Sequence, residues 1–127
     1  MKVAFVGTGG VGGYFGGHLA RTGTDVRFVA RGAHLKALKA DGLTVLSDVA
    51  PIDGLKIQVT DDPKEIGTVD AVLLAVKLAD TEGAVAQMAP LVGPNTVVAS
   101  LQNGIDAVER MSAAFGRDRV LGGVCHI

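Results

Sequence analysis

The sequence predicts an α/β fold: a doubly wound, mostly parallel sheet of strand order 3-2-1-4-5-6 with helices on both faces. Short apolar runs alternate along the chain with longer stretches at helical spacing, and strands joined by crossover helices form parallel sheets. Glycine accounts for 18 of the 127 residues. This is about twice its usual share of roughly 7%, and it suits close packing of helices on a sheet. One domain is expected over residues 1–127.

The first half of the chain predicts two strand–helix units and then a hairpin. The strands are expected at Lys2–Val6 and Val26–Ala30, and the helices at Gly10–Thr22 and Gly32–Asp41. Gly42 is suited to cap the second helix at its C-terminus. The runs Leu43–Leu46 and Lys56–Val59 are typical of two short strands of a hairpin, with Asp53-Gly54 in the connecting turn.

The second half continues the alternation after a brief helical turn at Asp62–Glu65. Asp70–Val76 is the most hydrophobic run, so it is expected to be a central strand. The remaining elements are a helix over 80–91 closed by Gly93-Pro94, a strand at Thr96–Leu101, a helix at Ile105–Phe115 and a strand at Arg119–Val124.

Composition and charge exclude several classes of function. The formal net charge is −1 and no basic stripe is present, which argues against nucleic-acid binding. No apolar stretch approaches the length of a membrane span, and the first apolar run is too short for a signal peptide. One cysteine cannot form an internal disulfide, which fits a cytoplasmic location. No metal-ligand spacing occurs, so no metal is expected.

A glycine-rich motif stands between the first strand and the first helix. It reads Gly7-Thr8-Gly9-Gly10-Val11-Gly12 and matches G-x-G-x-x-G, the signature of a Rossmann-type dinucleotide site. Gly7 permits the tight turn, Gly9 lets the backbone approach a pyrophosphate, and Gly12 lets the helix pack closely on the strand. The pyrophosphate would lie at the helix N-terminus, where free N–H groups favour an anion. The alternative is a glycine-rich turn without a ligand.

Arg31 decides which dinucleotide is expected. Sites selective for NAD usually place an acid about 20 residues after the motif, where it bonds the ribose 2′-hydroxyl. Arg31 stands at that place, and the nearest acid, Asp25, lies at the other end of the strand. A guanidinium can hold a 2′-phosphate through two parallel hydrogen bonds, so NADP(H) is favoured over NAD(H). The alternative for Arg31 is a solvated charge at a strand end.

Two further polar residues follow very apolar strands, at the edge where such sheets bind ligands. Lys77 follows the run that ends at Val76, and Asn103 follows the strand at Thr96–Leu101. Either could contact a ribose or a substrate carbonyl, and either could equally be a loop residue or a cap.

The histidines and the cysteine offer weaker candidates for chemistry. His126 is a tempting acid or base, although a structural role is the commoner outcome, and His18 and His34 are expected on helix surfaces. Cys125 is expected to be a buried apolar residue. The sequence offers no nucleophilic side chain that can be matched with a side chain acting as its base.

Together, these motifs make the whole chain resemble the N-terminal domain of the 2-dehydropantoate 2-reductase (ketopantoate reductase) family. The resemblance rests on Gly7–Gly12, Arg31–Leu35, Val76-Lys77, Leu101–Gly104 and Leu121–His126, in that order and spacing. It implies NADPH-dependent reduction of a 2-oxo acid, 2-dehydropantoate to pantoate, on the route to pantothenate and coenzyme A. By position it assigns residues 7–12 and Arg31 to the cofactor, and Lys77 and Asn103 to both cofactor and substrate.

In the same family, the proton-donating lysine belongs to an all-helical C-terminal domain that this chain lacks. The resemblance therefore implies a chain that binds NADP(H) without turnover, and it is compatible with a homodimer of the full-length protein. Two alternatives stay open. One is the cofactor domain of another 2-hydroxy acid dehydrogenase, such as the hydroxyisobutyrate or phosphogluconate type, and the other is a non-catalytic module that senses NADP(H).

Overall fold

The computed structural model describes residues 1–7, 10–76, 81–101 and 106–121. Its strands are β1 (Lys2–Val6), β2 (Asp25–Val29), β3 (Leu43–Val45), β4 (Ile52–Leu55), β5 (Gln58–Thr60), β6 (Val69–Leu74), β7 (Val92–Ser100) and β8 (Val120–Leu121). Its helices are α1 (Gly10–Arg21), α2 (Gly32–Asp41), α3 (Thr81–Met88) and α4 (Asp106–Phe115). Short 3₁₀ turns lie at Pro63–Glu65, Ala89–Leu91 and Arg117–Arg119.

Six strands form one parallel sheet in the order β5-β2-β1-β6-β7-β8. Counted among these six strands alone, the order is the predicted 3-2-1-4-5-6. The strand numbers differ from the predicted ones when every strand of the chain is counted, because β3 and β4 form a separate hairpin that comes before β5 in the sequence. The predicted α/β fold class is confirmed, and the apolar strand β6 is central, between β1 and β7.

The composition of the hairpin was predicted wrongly. Its second strand is β4, whereas half of the predicted run Lys56–Val59 enters β5, which pairs in parallel with β2. Gly54 lies inside β4 at φ +62°, and its N–H donates to the Thr44 hydroxyl at 3.1 Å. Asp53-Gly54 therefore bends a strand instead of closing the turn, and alternation of apolar residues alone does not reveal which neighbour a short strand pairs with.

The start of β7 also differs from its prediction. The α3 helix ends at Met88, a 3₁₀ turn follows, and the strand begins at Val92, before Gly93-Pro94. Val92 pairs with Val69, and the register then shifts before Ala71 pairs with Val97. The irregularity accommodates Pro94, which has no N–H to give to a regular ladder. The predicted end of the last strand, 122–124, lies outside the described residues.

Two apolar clusters hold the helices to opposite faces of the sheet. On one face, α3 and α4 contribute Val85, Met88 and Met111 against buried residues such as Val72 and Leu74. On the other face, α1, α2 and the hairpin pack over β1 and β2, where Phe5 and Phe28 stack with ring centroids 5.7 Å apart. The helices are thus divided between the two faces of the sheet.

A buried hydroxyl secures the irregular start of β7. Thr96 is 3% exposed, and its Oγ1 donates to the Val69 carbonyl at 2.6 Å and accepts from the Gly93 N–H at 2.8 Å. Thr96→Val keeps the shape of the side chain and leaves the Val69 carbonyl and the Gly93 N–H without their hydrogen bonds to the hydroxyl. The expected loss is about 1–3 kcal/mol of unfolding free energy, measured by urea titration. A midpoint equal to that of the unsubstituted chain would show that the hydroxyl contributes nothing.

Candidate dinucleotide-binding site

The candidate site lies at the carboxyl ends of the parallel strands, where the strand order reverses. β1 pairs with β2 on one side and with β6 on the other, so the connections after β1 and β6 leave in opposite directions. Open α/β sheets bind ligands in the crevice that this arrangement creates. The crevice is bordered by the residues that follow β1, β2, β6 and β7.

Gly7 forms the turn after β1 and is held from both sides. Its N–H donates to the Val29 carbonyl at 3.2 Å, and the Ala75 N–H donates to the Val6 carbonyl at 2.9 Å. Gly7 has φ +103°, and a Cβ atom there would lie 2.8 Å from the backbone C and O of Ala75. Both the backbone conformation and the lack of space therefore require glycine.

Gly12 brings the start of α1 directly onto that turn. A Cβ atom on Gly12 would lie 2.1 Å from the Gly7 carbonyl oxygen and 3.0 Å from the Ala75 Cβ. The close approach predicted for Gly12 is present. As a result, the first turn of α1, which includes Gly10 and Val11, begins immediately above the end of β1. Thr8 and Gly9 lie outside the described residues.

Two further glycines of α1 serve packing. A Cβ atom on Gly16 would lie 2.5 Å from the Phe28 ring, and one on Gly17 would lie 2.7 Å from Leu43 and from Ile52. Gly16 therefore sets the distance from helix to sheet. Gly17 instead admits the hairpin, which the sequence did not indicate.

Arg31 lies two residues after the carboxyl end of β2 and is the N-cap residue of α2. Its backbone is extended, at φ −147° and ψ 166°, and its side chain is exposed and makes no capping hydrogen bond. The guanidinium has no hydrogen-bond or ion-pair partner among the described residues. It stands next to the free N–H groups of the first turn of α2. The positive guanidinium and the positive end of the helix dipole therefore lie side by side after β2.

The two other charged residues of β2 lie toward its amino end and pair with each other. Arg27 Nε donates to Asp25 Oδ1 at 2.8 Å, and Asp25 is level with Lys2 at the start of β1. The hydrogen bond from Arg27 lowers the pKa of the Asp25 carboxyl below its ordinary value. This acid therefore lies at the wrong end of β2 to contact a ribose in the crevice, as predicted.

Replacing Arg27 by alanine is expected to raise the pKa of Asp25 toward its ordinary value. The pair stabilises the fold at neutral pH, and its contribution is lost as the pH falls through the lowered pKa of Asp25. Carboxyl carbon shifts followed by NMR across an acid titration measure the change. An unaltered Asp25 titration in the variant would contradict the assignment of the cause.

Two acids that the sequence analysis missed follow β5, the neighbour of β2. Thr60 pairs with Val29 and its carbonyl accepts from the Ala30 N–H at 3.0 Å, so Asp61 and Asp62 follow a strand end beside that of Arg31. Asp62 accepts from the Lys64 N–H at 3.0 Å and caps its own turn. Asp61 is exposed. The signal was hidden because Lys56–Val59 had been assigned to the hairpin.

Lys77 and Asn103 lie outside the described residues. The residues that precede them are described. Ala75 and Val76 follow β6, and the Leu101 N–H donates to the Leu74 carbonyl at 2.9 Å. The ends of the adjacent strands β6 and β7 therefore lie side by side at one edge of the sheet.

The remaining candidates have mixed outcomes. Cys125 and His126 also lie outside the described residues. His34 is exposed, as expected, whereas His18 is half-buried, with Nε2 2.9 Å from the Ala50 carbonyl oxygen. The expectation of a surface position was wrong for His18, because the loop before β4 covers it. Within the described ranges no group of acidic, histidine or cysteine side chains could hold a metal ion, and no helix has the length and apolarity to cross a membrane.

Comparison with known proteins decides the family. A model of the family described as ketopantoate reductase PanE/ApbA matches residues 3–127. The chain belongs to the ketopantoate reductase family. It is 40% identical over 110 residues to a 2-dehydropantoate 2-reductase of Mesorhizobium japonicum, in a match that covers 83% of this chain and 32% of that protein.

Solved structures of family members and related enzymes share the fold. The crystal structure of 2-dehydropantoate 2-reductase from Porphyromonas gingivalis W83 matches with a TM-score of 0.88 and 41% identity, covering 100% of this chain and 47% of that one. A ternary structure of D-mandelate dehydrogenase with NADH and anilino(oxo)acetate matches with a TM-score of 0.86 and 25% identity, covering 98% and 40%. These relatives are oxidoreductases, and the chain spans less than half the length of each.

Proposed function

We propose that this chain is the NADP(H)-binding portion of an NADPH-dependent 2-oxo acid reductase whose substrate is 2-dehydropantoate. The observation that carries the cofactor assignment is the position of Arg31. Its guanidinium is exposed, pairs with no described residue and follows the carboxyl end of β2, whereas the acid of that strand is paired at the opposite end. The matched relatives are named 2-dehydropantoate 2-reductases, which supports 2-dehydropantoate as the substrate.

The described residues fit a dinucleotide at the pyrophosphate and at the ribose. Side chains are excluded at Gly7 and Gly12, so the start of α1 presents backbone N–H groups, which suit a pyrophosphate. Arg31 would hold the 2′-phosphate by two charge-assisted hydrogen bonds, since phosphate oxygens match the guanidinium fork. When bound, the cofactor supplies the hydride that reduces the 2-oxo group. The chain's own part is to bind and orient it.

Lys77 and Asn103 are assigned to the region where cofactor and substrate meet. Both follow strands whose ends adjoin the crevice, so an ammonium and an amide there are suited to hold a carboxylate, a carbonyl or a ribose hydroxyl. The proton donor is assigned to a C-terminal helical domain beyond this chain. The isolated chain is accordingly expected to bind cofactor without turnover, in a cytoplasmic protein.

The substrate is tested by NADPH oxidation in the full-length protein with a panel of 2-oxo acids. Preference for 2-dehydropantoate would support the proposal. Preference for another acid would overturn the substrate and leave the fold and cofactor standing. Tight NADPH binding without activity on any acid would instead favour a module that senses NADP(H).

A second candidate is an NADH-dependent reductase of 2-oxo acids. Asp61 favours it, because an exposed carboxylate follows β5 beside the strand end of Arg31, and a carboxylate can accept from a ribose 2′-hydroxyl. The related D-mandelate dehydrogenase structure contains NADH. Asp61→Asn separates the two candidates. It should weaken NADH binding if Asp61 holds the ribose, and it should leave NADH binding unchanged under the first proposal.

A further inference from the structure

Three neighbouring strand ends form a row along the candidate site. The sheet contains β5, β2 and β1 as direct neighbours in that order, and all three strands are parallel. Gly7 follows β1, Arg31 follows β2, and Asp61 is the first residue after β5. Neighbouring strands lie about 4.8 Å apart, so the ends of β1 and β5 are separated by roughly 10 Å. The phosphate, ribose and base of one nucleotide can span that distance.

The order of the strand ends sets the order of the nucleotide's parts. Under the proposed function, the pyrophosphate lies at the start of α1, above the end of β1, and the 2′-phosphate lies with Arg31 after β2. The ribose that carries this phosphate joins the pyrophosphate on one side and the base on the other. The base therefore continues the row outward from β2, toward β5 and Asp61.

The turn that carries Asp61 is held by its own hydrogen bonds. Thr60 is 9% exposed, and its hydroxyl donates to Glu65 Oε2 at 2.9 Å and accepts from the Asp62 N–H at 3.1 Å. The Asp62 carboxylate accepts from the Lys64 N–H at 3.0 Å. Asp61 stands between Thr60 and Asp62, so its backbone is held in place from both sides.

The Asp61 side chain takes no part in that network. It is exposed, and it has no hydrogen-bond or ion-pair partner among the described residues. The turn therefore does not depend on this carboxylate, which is available to a ligand in the crevice. An ionised carboxylate only accepts hydrogen bonds, so the part of the ligand that it contacts must be a donor.

We infer that Asp61 accepts a hydrogen bond from the 6-amino group of the adenine ring and so makes the site selective for adenine. The inference rests on the proposed function, because Arg31 is what places the ribose beside β5. Within the dinucleotide, the amino group carries the only N–H donors of the adenine ring. Hypoxanthine has a carbonyl oxygen at that position, which a carboxylate repels, and its N–H lies on the neighbouring ring atom.

The test is calorimetric titration of the chain with NADPH and, separately, with its hypoxanthine analogue, in which oxygen replaces the 6-amino group. NADPH is expected to bind about tenfold or more tightly, because the analogue loses a hydrogen bond to a charged group. Asp61→Ala should weaken NADPH and NADH by the same factor, because both contain adenine. It should also bring NADPH and the analogue to within about twofold of each other. Asp61→Asn keeps an acceptor in its amide oxygen, so it should retain the affinity for NADPH and NADH.

Asp48→Ala is the matched control, because Asp48 is also an exposed aspartate and lies between β3 and β4, away from the row of strand ends. It should leave the affinities for NADPH, NADH and the analogue unchanged. The unfolding free energy of Asp61→Ala should equal that of the unsubstituted chain. A fall in stability together with affinity would assign Asp61 a structural role and overturn the inference.

Two binding results would also overturn it. One is equal affinity of the unsubstituted chain for NADPH and the analogue, and the other is an Asp61→Ala variant that weakens NADH alone, which would place Asp61 on the ribose. The preference for NADPH over NADH tests the proposed function separately, since both cofactors carry the same base. A chain that binds neither cofactor would overturn both the proposed function and this inference.

Discussion

Replacing Gly12 by alanine is expected to disrupt the start of α1 and to abolish dinucleotide binding. The new Cβ would stand 2.1 Å from the Gly7 carbonyl oxygen and 3.0 Å from the Ala75 Cβ, and neither atom belongs to a flexible side chain that could move aside. The helix must therefore shift away from β1, at a cost of about 1–3 kcal/mol in unfolding free energy or more. Urea unfolding measures the stability, and calorimetric titration with NADPH measures the binding.

Gly83→Ala is the matched control for that experiment. Gly83 lies within α3, and a Cβ atom there would meet nothing within 4 Å. The same substitution is therefore expected to stabilise the chain by about 0.5–1 kcal/mol, because alanine favours a helix and loses less entropy on folding. A Gly12→Ala chain with unchanged stability and NADPH binding would show that the close approach has no consequence.

Replacing Arg31 by alanine is expected to remove most of the preference for NADPH over NADH. A hydrogen bond to a charged group contributes about 1.5–3 kcal/mol, which corresponds to roughly a tenfold to a hundredfold loss of NADPH affinity. NADH affinity is expected to stay nearly constant, because NADH has no 2′-phosphate. The unfolding free energy should also change little, since Arg31 is exposed and makes no capping bond.

Arg27→Ala is the control for Arg31→Ala, because it removes an arginine side chain from β2, the strand that Arg31 follows. Arg27 pairs with Asp25 at the other end of β2, so its loss should leave both cofactor affinities as they were. An equal fall in NADPH affinity in the two variants would mean that net charge, and not the position of Arg31, determines binding.

Much of this fold could be predicted because local signals and tertiary packing agree. The β1 strand, α1 and the turn between them follow from an apolar run that meets glycines, and Gly7 and Gly12 lie where backbone meets backbone. The β2 strand was predicted at Val26–Ala30 and lies one residue earlier, at Asp25–Val29. Arg31 and Gly42 bracket α2, which begins and ends at the predicted residues.

The failures arose where a strand's neighbour is far away in sequence. β5 contains three residues, and its pairing with β2 depends on Gln58 meeting Arg27 across the sheet, which no local pattern encodes. That error hid the position of Asp61 beside the end of β2. The 42% exposure of Val97 in β7 was equally invisible, because an apolar strand in sequence looks the same whether one of its faces or both are covered.

The central claim is that the crevice beyond β1 and β6 selects NADP(H) through Arg31. The most direct measurement is calorimetric titration of the unsubstituted chain with NADPH and, separately, with NADH in the same buffer. We expect NADPH to bind about tenfold or more tightly, because only its 2′-phosphate can accept the two hydrogen bonds of the guanidinium. Equal dissociation constants for the two cofactors, or tighter binding of NADH, would contradict the assignment of Arg31.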